Sequence, residues 1–250
     1  MLFRSRLAGQ SFGNLFLAAL NGMCASFDEA VRRMSEVLAI TGRVLPVTNE
    51  NAQLLAEFTD GAIVRGESYI AKYDGDGDRC VKRVFLEPNR ITALPESLAA
   101  IERADMIVIG PGSLYTSIIP NLLTGGVSKA IVESDALKVF VMNIMTQSGE
   151  TEGLTASDHV RAIFDHAGAK IFDFCLANSA ELPAEVLELY AAGGGAPTIM
   201  DYNTLTDYNI EVISRPVADL DCGLARHSPA ALAAALMDLF REKAETRIYS

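Results

Sequence analysis

The hydrophobic positions of this chain fall into three kinds of pattern. From Ser11 to about Met23 the residues are apolar nearly throughout, which predicts a helix. Ser26-Phe27-Asp28-Glu29 reads as a capping box, with Ser26 as N-cap and Glu29 three residues on. It opens a helix with Ala30, Val31, Met34, Val37 and Leu38 on one face. From Val44 to Leu86 the pattern shortens to β-type runs: Val44–Thr48, Leu54–Phe58, Ile63–Ala71 and Val81–Leu86. These make 44–88 a β-rich subregion of a single domain spanning 1–250. Between the last two runs stands Asp74-Gly75-Asp76-Gly77-Asp78. A calcium loop needs Gly sixth and Glu twelfth, but Arg79 and Phe85 occupy those places, so a solvated hairpin turn is expected.

After Pro95 helix and strand alternate. Helices are predicted over Glu96–Arg103, Val127–Ser134, Ala184–Ala191 and, capped by Thr155, along a face of Val160, Ile163, Phe164 and Ala167. The continuous apolar runs Met106–Ile109, Val139–Met142 and Ile171–Ala177, with a late run Ile210–Ile213, read as buried parallel strands. Ser228 as N-cap with Pro229 at the first helical position opens the last helix. Strands alternating with helices predict an α/β fold, a mainly parallel sheet covered on both faces.

Composition narrows the function classes. The net charge of -11 is spread along the chain and forms no basic stripe, which argues against nucleic acid as a partner. Arg4 and Arg6 before Leu15–Leu20 imitate a signal peptide. That apolar run is six residues long, short of the roughly 7–15 of a secretory h-region and of the roughly 20 of a membrane span. A cytoplasmic protein with no membrane partner is expected. Cys24, Cys80, Cys175 and Cys222 stand far apart without a C-x-x-C pair, as reduced thiols would. His159 and His166 are seven apart rather than the four of a metal pair, and a favourable helix-end position accounts for His166. No Ser-His-Asp or Cys-His arrangement and no G-x-G-x-x-G fingerprint is present.

In sheets of this kind ligands bind beyond the carboxyl ends of strands. Two loops there carry suitable chemistry. Gly110-Pro111-Gly112-Ser113-Leu114-Tyr115-Thr116-Ser117 offers close backbone approach, free amides and hydroxyls for a phosphate or sugar; on residue chemistry alone it reads equally as a plain strand-to-helix turn. Asn143–Thr151 is polar and lies at the same end; alone it reads as a solvated loop. Arg226 stands two residues before the Ser228 cap, where a helix dipole repels a cation by about 0.3–1 kcal/mol. A bound anion would reverse that penalty; the alternative is an exposed arginine with the dipole screened.

Several motifs, in order across nearly the whole chain, resemble the gluconeogenesis-factor (YvcK-like) branch of the CofD-like family. They are Ser11-Phe12-Gly13-Asn14-Leu15-Phe16, Ile109 through Ser117, Pro120-Asn121-Leu122-Leu123, Met145-Thr146-Gln147 with Gly149-Glu150-Thr151, Ala156-Ser157-Asp158-His159-Val160, and Arg226-His227. The resemblance implies a three-layer Rossmann-like fold with a β-hairpin insertion. It also implies a nucleotide-sugar-binding regulator of cell shape and wall synthesis during gluconeogenic growth, with uridine-diphosphate N-acetylglucosamine as the ligand and not itself a catalyst. The site residues it suggests are Gly110, Gly112, Ser113, Tyr115, Thr116, Asn14, Gln147, Tyr190 and Arg226, with catalytic residues unassigned. The alternative it carries is a metal-dependent transferase that attaches a phospholactyl group to a deazaflavin. The family's opening strand, Gly-Gly-Gly-Thr-Gly-type loop and Asp-Asp-Gly-Gly segment have no counterpart here, and Gln10 stands where the family pattern has histidine. An N-terminal segment is therefore expected to be missing, along with phosphate and Mg contacts of the full-length form. An exposed apolar edge beside Ser11–Leu20, and self-association into a homo-oligomer, would follow.

Overall fold

The computed structural model describes residues 11–73, 80–220 and 223–248. Arg4, Arg6, Gln10, the Asp74–Asp78 segment and Cys222 lie outside the described residues. Helix α1 (Phe12–Met23) starts where the Ser11 hydroxyl accepts the Asn14 amide, and it buries none of its residues. Helix α2 (Phe27–Val37) starts at Ser26 without the expected capping box. The Ser26 hydroxyl makes no cap bond, Glu29 accepts from the Ala25 amide, and the Asp28 amide donates to Asn49 Oδ1 at 3.0 Å. A distant side chain has supplied the acceptor that local sequence suggested. Of the expected apolar face, Ala30 and Val31 are buried while Val37 and Leu38 are exposed.

The β-rich subregion is a three-stranded antiparallel sheet in the order β2-β1-β3, made of β1 (Gln53–Phe58), β2 (Ile63–Arg65) and β3 (Val81–Glu87). Three expectations change here. Val44–Thr48 is irregular chain, tied down where the Val47 carbonyl accepts from the Leu94 amide. The run Ile63–Ala71 breaks at Gly66 into a strand and a short helix, α3 (Glu67–Ile70), which buries Ile70. Finally, β2 and β3 occupy opposite edges of β1, so β2 pairs with β1 and not with β3.

Beyond α4 (Pro95–Glu102) the chain builds the second sheet. Its strands are β4 (Met106–Ile109), β5 (Leu137–Val141), β6 (Phe174–Asn178) and β7 (Glu211–Arg215), all parallel and in that order. Between β4 and β5 run a π-helical turn (Leu114–Ile118), α5 (Ile119–Leu123) and α6 (Val127–Glu133). Helix α7 (Ala156–Ala167) connects β5 to β6, and α8 (Ala184–Ala192) and α9 (Tyr202–Asp207) connect β6 to β7. A two-stranded ribbon, β8 (Ala218–Asp219) with β9 (Arg226–His227), leads into α10 (Pro229–Ile248).

Strand alternation explains the apolar runs. Phe140, Cys175 and Ala177 face a cluster containing Ile119, Val160 and Ile163. Their neighbours Val139 and Leu176, with Ile213, face Ala235 and Leu239 of α10. Consecutive parallel strands joined by right-handed crossovers put their connecting helices on one face. Helix α10 covers the other, giving the three-layer α/β architecture. The first cluster also takes in Phe58 and Val84 of the antiparallel sheet, so one core unites both sheets. Strand β4 is an edge, with Val108 38% exposed, and on α1 Phe12 and Met23 are 77% and 83% exposed.

Two of the predicted caps take shape as expected. Thr155 and Asp158 form a reciprocal capping box at α7, and Ser228 Oγ accepts the Ala231 amide at α10. His166 does not act as a helix-end cation. Its Nε2 accepts from the Val84 amide at 3.0 Å, which leaves the proton on Nδ1, 2.6 Å from the Ala162 carbonyl. That ring is neutral, and burial holds its pKa below the ordinary value.

Candidate functional site

The carboxyl ends of β4 and β5 open onto a cleft of about 970 Å³. Gly112 and Ser113 from the loop after β4 form one side, and the stretch from Asn143 to Ser148 after β5 forms the floor. Tyr190 of α8 makes a wall, and Arg226 and His227 of β9 close the rim. This is the location expected for a ligand in a parallel sheet, where loop amides and side chains converge above the strand ends.

The loop after β4 is held to the loop after β5 by a series of hydrogen bonds. Gly110 takes φ +81°, and a Cβ there would meet Ile118 Cδ1 at 3.2 Å and the Val141 carbonyl at 3.3 Å. Only glycine fits so close a turn over the sheet. Asn143 Nδ2 donates to the Gly112 carbonyl at 2.9 Å, and the Ser113 hydroxyl donates to Gln147 Oε1 at 2.9 Å. Gln147 is itself placed by its amide, which donates to Thr151 Oγ1.

Glu150 is the anchor of this arrangement. Its carboxylate is 4% exposed and accepts the Tyr115 amide at 2.7 Å and the Thr116 amide at 2.9 Å, with the Thr116 hydroxyl at 3.3 Å. Burial raises its pKa, and the two amide bonds pull against that shift. The amides expected to meet a phosphate are therefore already bonded to an internal anion. Sequence reading missed Glu150's role because its partners lie some thirty-five residues away along the chain.

The sequence-derived residues separate into three groups. Gly112, Ser113, Gln147, Tyr190 and Arg226 line the cleft together. Gly110 and Thr116 support its loops from behind. Tyr115 is 5% exposed and packs edge-on against His166, away from the cleft, while burial pushes its phenol up to about 12. Asn14 sits exposed on α1, whose partner is α2, and is not among the lining residues. Asn143, Ser148 and His227 also belong to the lining; they lie within the Asn143–Thr151 loop and the Arg226-His227 motif but were not among the suggested site residues. His227 adjoins Arg226 in sequence, which was the available signal. Its Nε2 lies 3.2 Å from the Met142 carbonyl, and burial lowers its pKa, so it enters the cleft neutral.

Arg226 is exposed and forms no ion pair among the described residues, although Asp219 stands opposite it in the ribbon register. Tyr190 is half-buried and donates its hydroxyl to the Ala225 carbonyl at 3.3 Å, which ties α8 to the strand carrying Arg226. A ligand here meets one cation, an aromatic wall, amide and hydroxyl groups, and apolar patches from Ile144 and Met145. That set suits a phosphorylated sugar or nucleoside. Among the described residues no group of three His, Cys, Asp or Glu side chains is placed to hold a metal ion. Among them too, no helix is long and apolar enough to cross a membrane.

Comparison with known proteins bears on these features. The model of the CofD family, described as 2-phospho-L-lactate transferase CofD, matches residues 3–218. The gluconeogenesis factor of Bacillus subtilis is 42% identical over 94% of this chain and 73% of its own length. That of Halalkalibacterium halodurans is 42% identical over 93% of this chain and 71% of its own. Some relatives are longer: the chain spans 72% of the Thermoanaerobacterium thermosulfurigenes relative and 53% of the Clostridium acetobutylicum one. A crystal structure of a UPF0052-family protein from Bacillus halodurans superposes with a TM-score of 0.86 at 42% identity, covering 92% of this chain and 74% of that one.

Proposed function

Because this chain belongs to the CofD family, and within it to the gluconeogenesis factors, we propose that its cleft binds a nucleoside-diphosphate sugar without turning it over. The observation that carries this reading is Arg226, a cation with no ion-pair partner among the described residues, at the rim of a large cleft in an acidic chain. Charge-assisted hydrogen bonds from a guanidinium to a diphosphate are among the stronger polar contacts available. Tyr190 offers a ring to the base or sugar, and Gln147 and Asn143 offer amide groups to hydroxyls. As a sensor of such a sugar in the cytoplasm, the protein would adjust cell shape and wall synthesis during gluconeogenic growth.

Calorimetric titration with uridine-diphosphate N-acetylglucosamine tests the reading. Arg226→Ala should weaken binding by about 1.5–3 kcal/mol, the range for a hydrogen bond to a charged group, while the exposed position leaves the melting temperature unchanged. Equal affinities for wild type and variant would remove Arg226 from the site. The CofD family match favours a second reading, transfer of a phospholactyl group to a deazaflavin. Formation of that product on incubation with a divalent cation would replace the binding role with catalysis.

A further inference from the structure

The Tyr190 wall stands close to the floor of the cleft, and a glycine lies between them. Helix α8 runs into Gly193-Gly194-Gly195, where the amides of Gly193 and Gly195 both donate to the Tyr190 carbonyl at 2.9 Å. The chain then passes alongside the floor. The Thr146 amide donates to the Ala196 carbonyl at 2.7 Å, and the Ala196 amide donates to Thr146 Oγ1 at 2.9 Å. Two residues on, the Thr198 amide donates to the Ile144 carbonyl at 3.0 Å. The turn thus ties the end of α8 to the residues beneath the ligand space.

Its glycines serve different ends. Gly194 takes φ +80°, the left-handed conformation that suits a residue without a Cβ. Gly195 does not, so its backbone angles ask for no glycine. What the buried Gly195 lacks is room. A Cβ there would stand 3.0 Å from the Thr146 carbonyl and 3.2 Å from Tyr190 Cδ1. Thr146 is backbone-bonded to Ala196 and cannot withdraw, whereas the Tyr190 ring can. The far end of that ring is tethered by one hydroxyl bond, to the Ala225 carbonyl at 3.3 Å. The buried residues around it, Ile144, Met145, Val186 and Ala225, form a cluster apart from the main core. Moving the ring therefore reshapes the cleft and leaves the packing of the two sheets in place.

We propose that Gly195 is a positioning residue for the ligand, an assignment that rests on the nucleoside-diphosphate-sugar reading of the cleft. By leaving out a side chain it seats the Tyr190 ring against the floor, at the spacing where the ring meets a base or sugar. Tyr190 makes the contact, and Gly195 acts through it.

The test is a double-mutant cycle read by calorimetric titration with uridine-diphosphate N-acetylglucosamine. It compares wild type, Gly195→Ala, Tyr190→Ala and the double variant. Gly195→Ala should weaken binding about tenfold, within the range for losing an aromatic contact to a base. With Tyr190→Ala already present there is no ring to displace, and the same change should cost less than about twofold. A glycine that served only the fold would give equal losses in both backgrounds. The melting temperature of Gly195→Ala should stay within about 4 °C of wild type, since the main core is untouched. Wild-type affinity in Gly195→Ala, equal losses in the two backgrounds, or a Gly195→Ala chain that no longer melts cooperatively would each overturn the assignment and leave the nucleotide-sugar reading standing. A wild type that does not bind the sugar would overturn that reading, and the positioning role with it.

Discussion

Replacing Glu150 by Ala should loosen the whole ligand end of the sheet, and the size of the effect follows from its bonds. The carboxylate takes two backbone amides, Tyr115 at 2.7 Å and Thr116 at 2.9 Å, in a place that is 4% exposed. Each amide left without an acceptor costs about 1–3 kcal/mol. Relief from burying a carboxylate offsets part of that sum, since burial already raises its pKa. A net loss of about 2–4 kcal/mol is expected. Glu150→Gln keeps an oxygen at the Oε1 position, so both amide bonds survive and the loss should stay within about 1 kcal/mol. Urea unfolding at constant slope measures both, because a stability change moves the midpoint and leaves the slope alone. The same pair should differ in sugar binding, with Ala weakening it through the displaced Ser113 loop and Gln retaining most of it. Alanine with a wild-type midpoint, or glutamine as damaging as alanine, would refute the clamp.

Acid should destabilise the fold through its histidines. Burial lowers the pKa of His159, His166 and His227 below 6.5 in the folded state. Above 6.5 both states are neutral and the stability is whole; as pH falls below it, the unfolded chain takes protons that the folded one refuses, and stability drops until the folded values are passed. Glu150, with its raised pKa, runs the other way: its contribution is present below 4.5 and fades as pH climbs through the folded value, so one group opposes three. A urea midpoint that is the same at about pH 7 and about pH 5 would count against this. Gly125→Ala should destabilise by about 1–3 kcal/mol, because the new Cβ lands 2.8 Å from the rigid Ile91 carbonyl; an unchanged melting temperature would disprove it. Thr155→Ala removes the hydroxyl that accepts the Asp158 amide and donates toward Asp201, and should cost about 1 kcal/mol in denaturant titration. No loss there would show that the Asp201 carboxylate, which already accepts the Ser157 amide, caps α7 unaided.

Local patterns were most legible where burial on both faces left one reading. Val139–Val141 is buried at every position, as a parallel strand under helices must be, and Met106–Ile109 carries the same apolar pattern although as the edge strand it leaves Val108 exposed. The Thr155 and Ser228 caps were equally readable, since a cap bond spans only three residues. The Ser26 cap was misread for a complementary reason: Asn49, far along the chain, offers the Asp28 amide a better acceptor. Val44–Thr48 carries strand-like residues but has no strand to pair with, and pairing is a tertiary event. The α3 turn and the edge positions of β2 and β3 likewise depend on which neighbour a strand finds.

At the site the division is similar. The Gly110–Ser117 loop and Arg226 drew notice by residue type at a strand end and a helix start, and Gln147 through the family resemblance; the fold brings Gly112, Ser113, Gln147 and Arg226 to one cleft. Only packing could decide that Tyr115 turns inward against His166, that Glu150 takes the amides meant for a ligand, and that Asn14 stands apart on α1. Strand order β4-β5-β6-β7 sets Arg226 and Ser113 on one cleft although they are more than a hundred residues apart. Backbone periodicity and capping are short-range and are written in neighbouring residues. Which loops meet above the sheet, and which polar groups are left free for a ligand, is settled by long-range contacts among elements that no local pattern encodes.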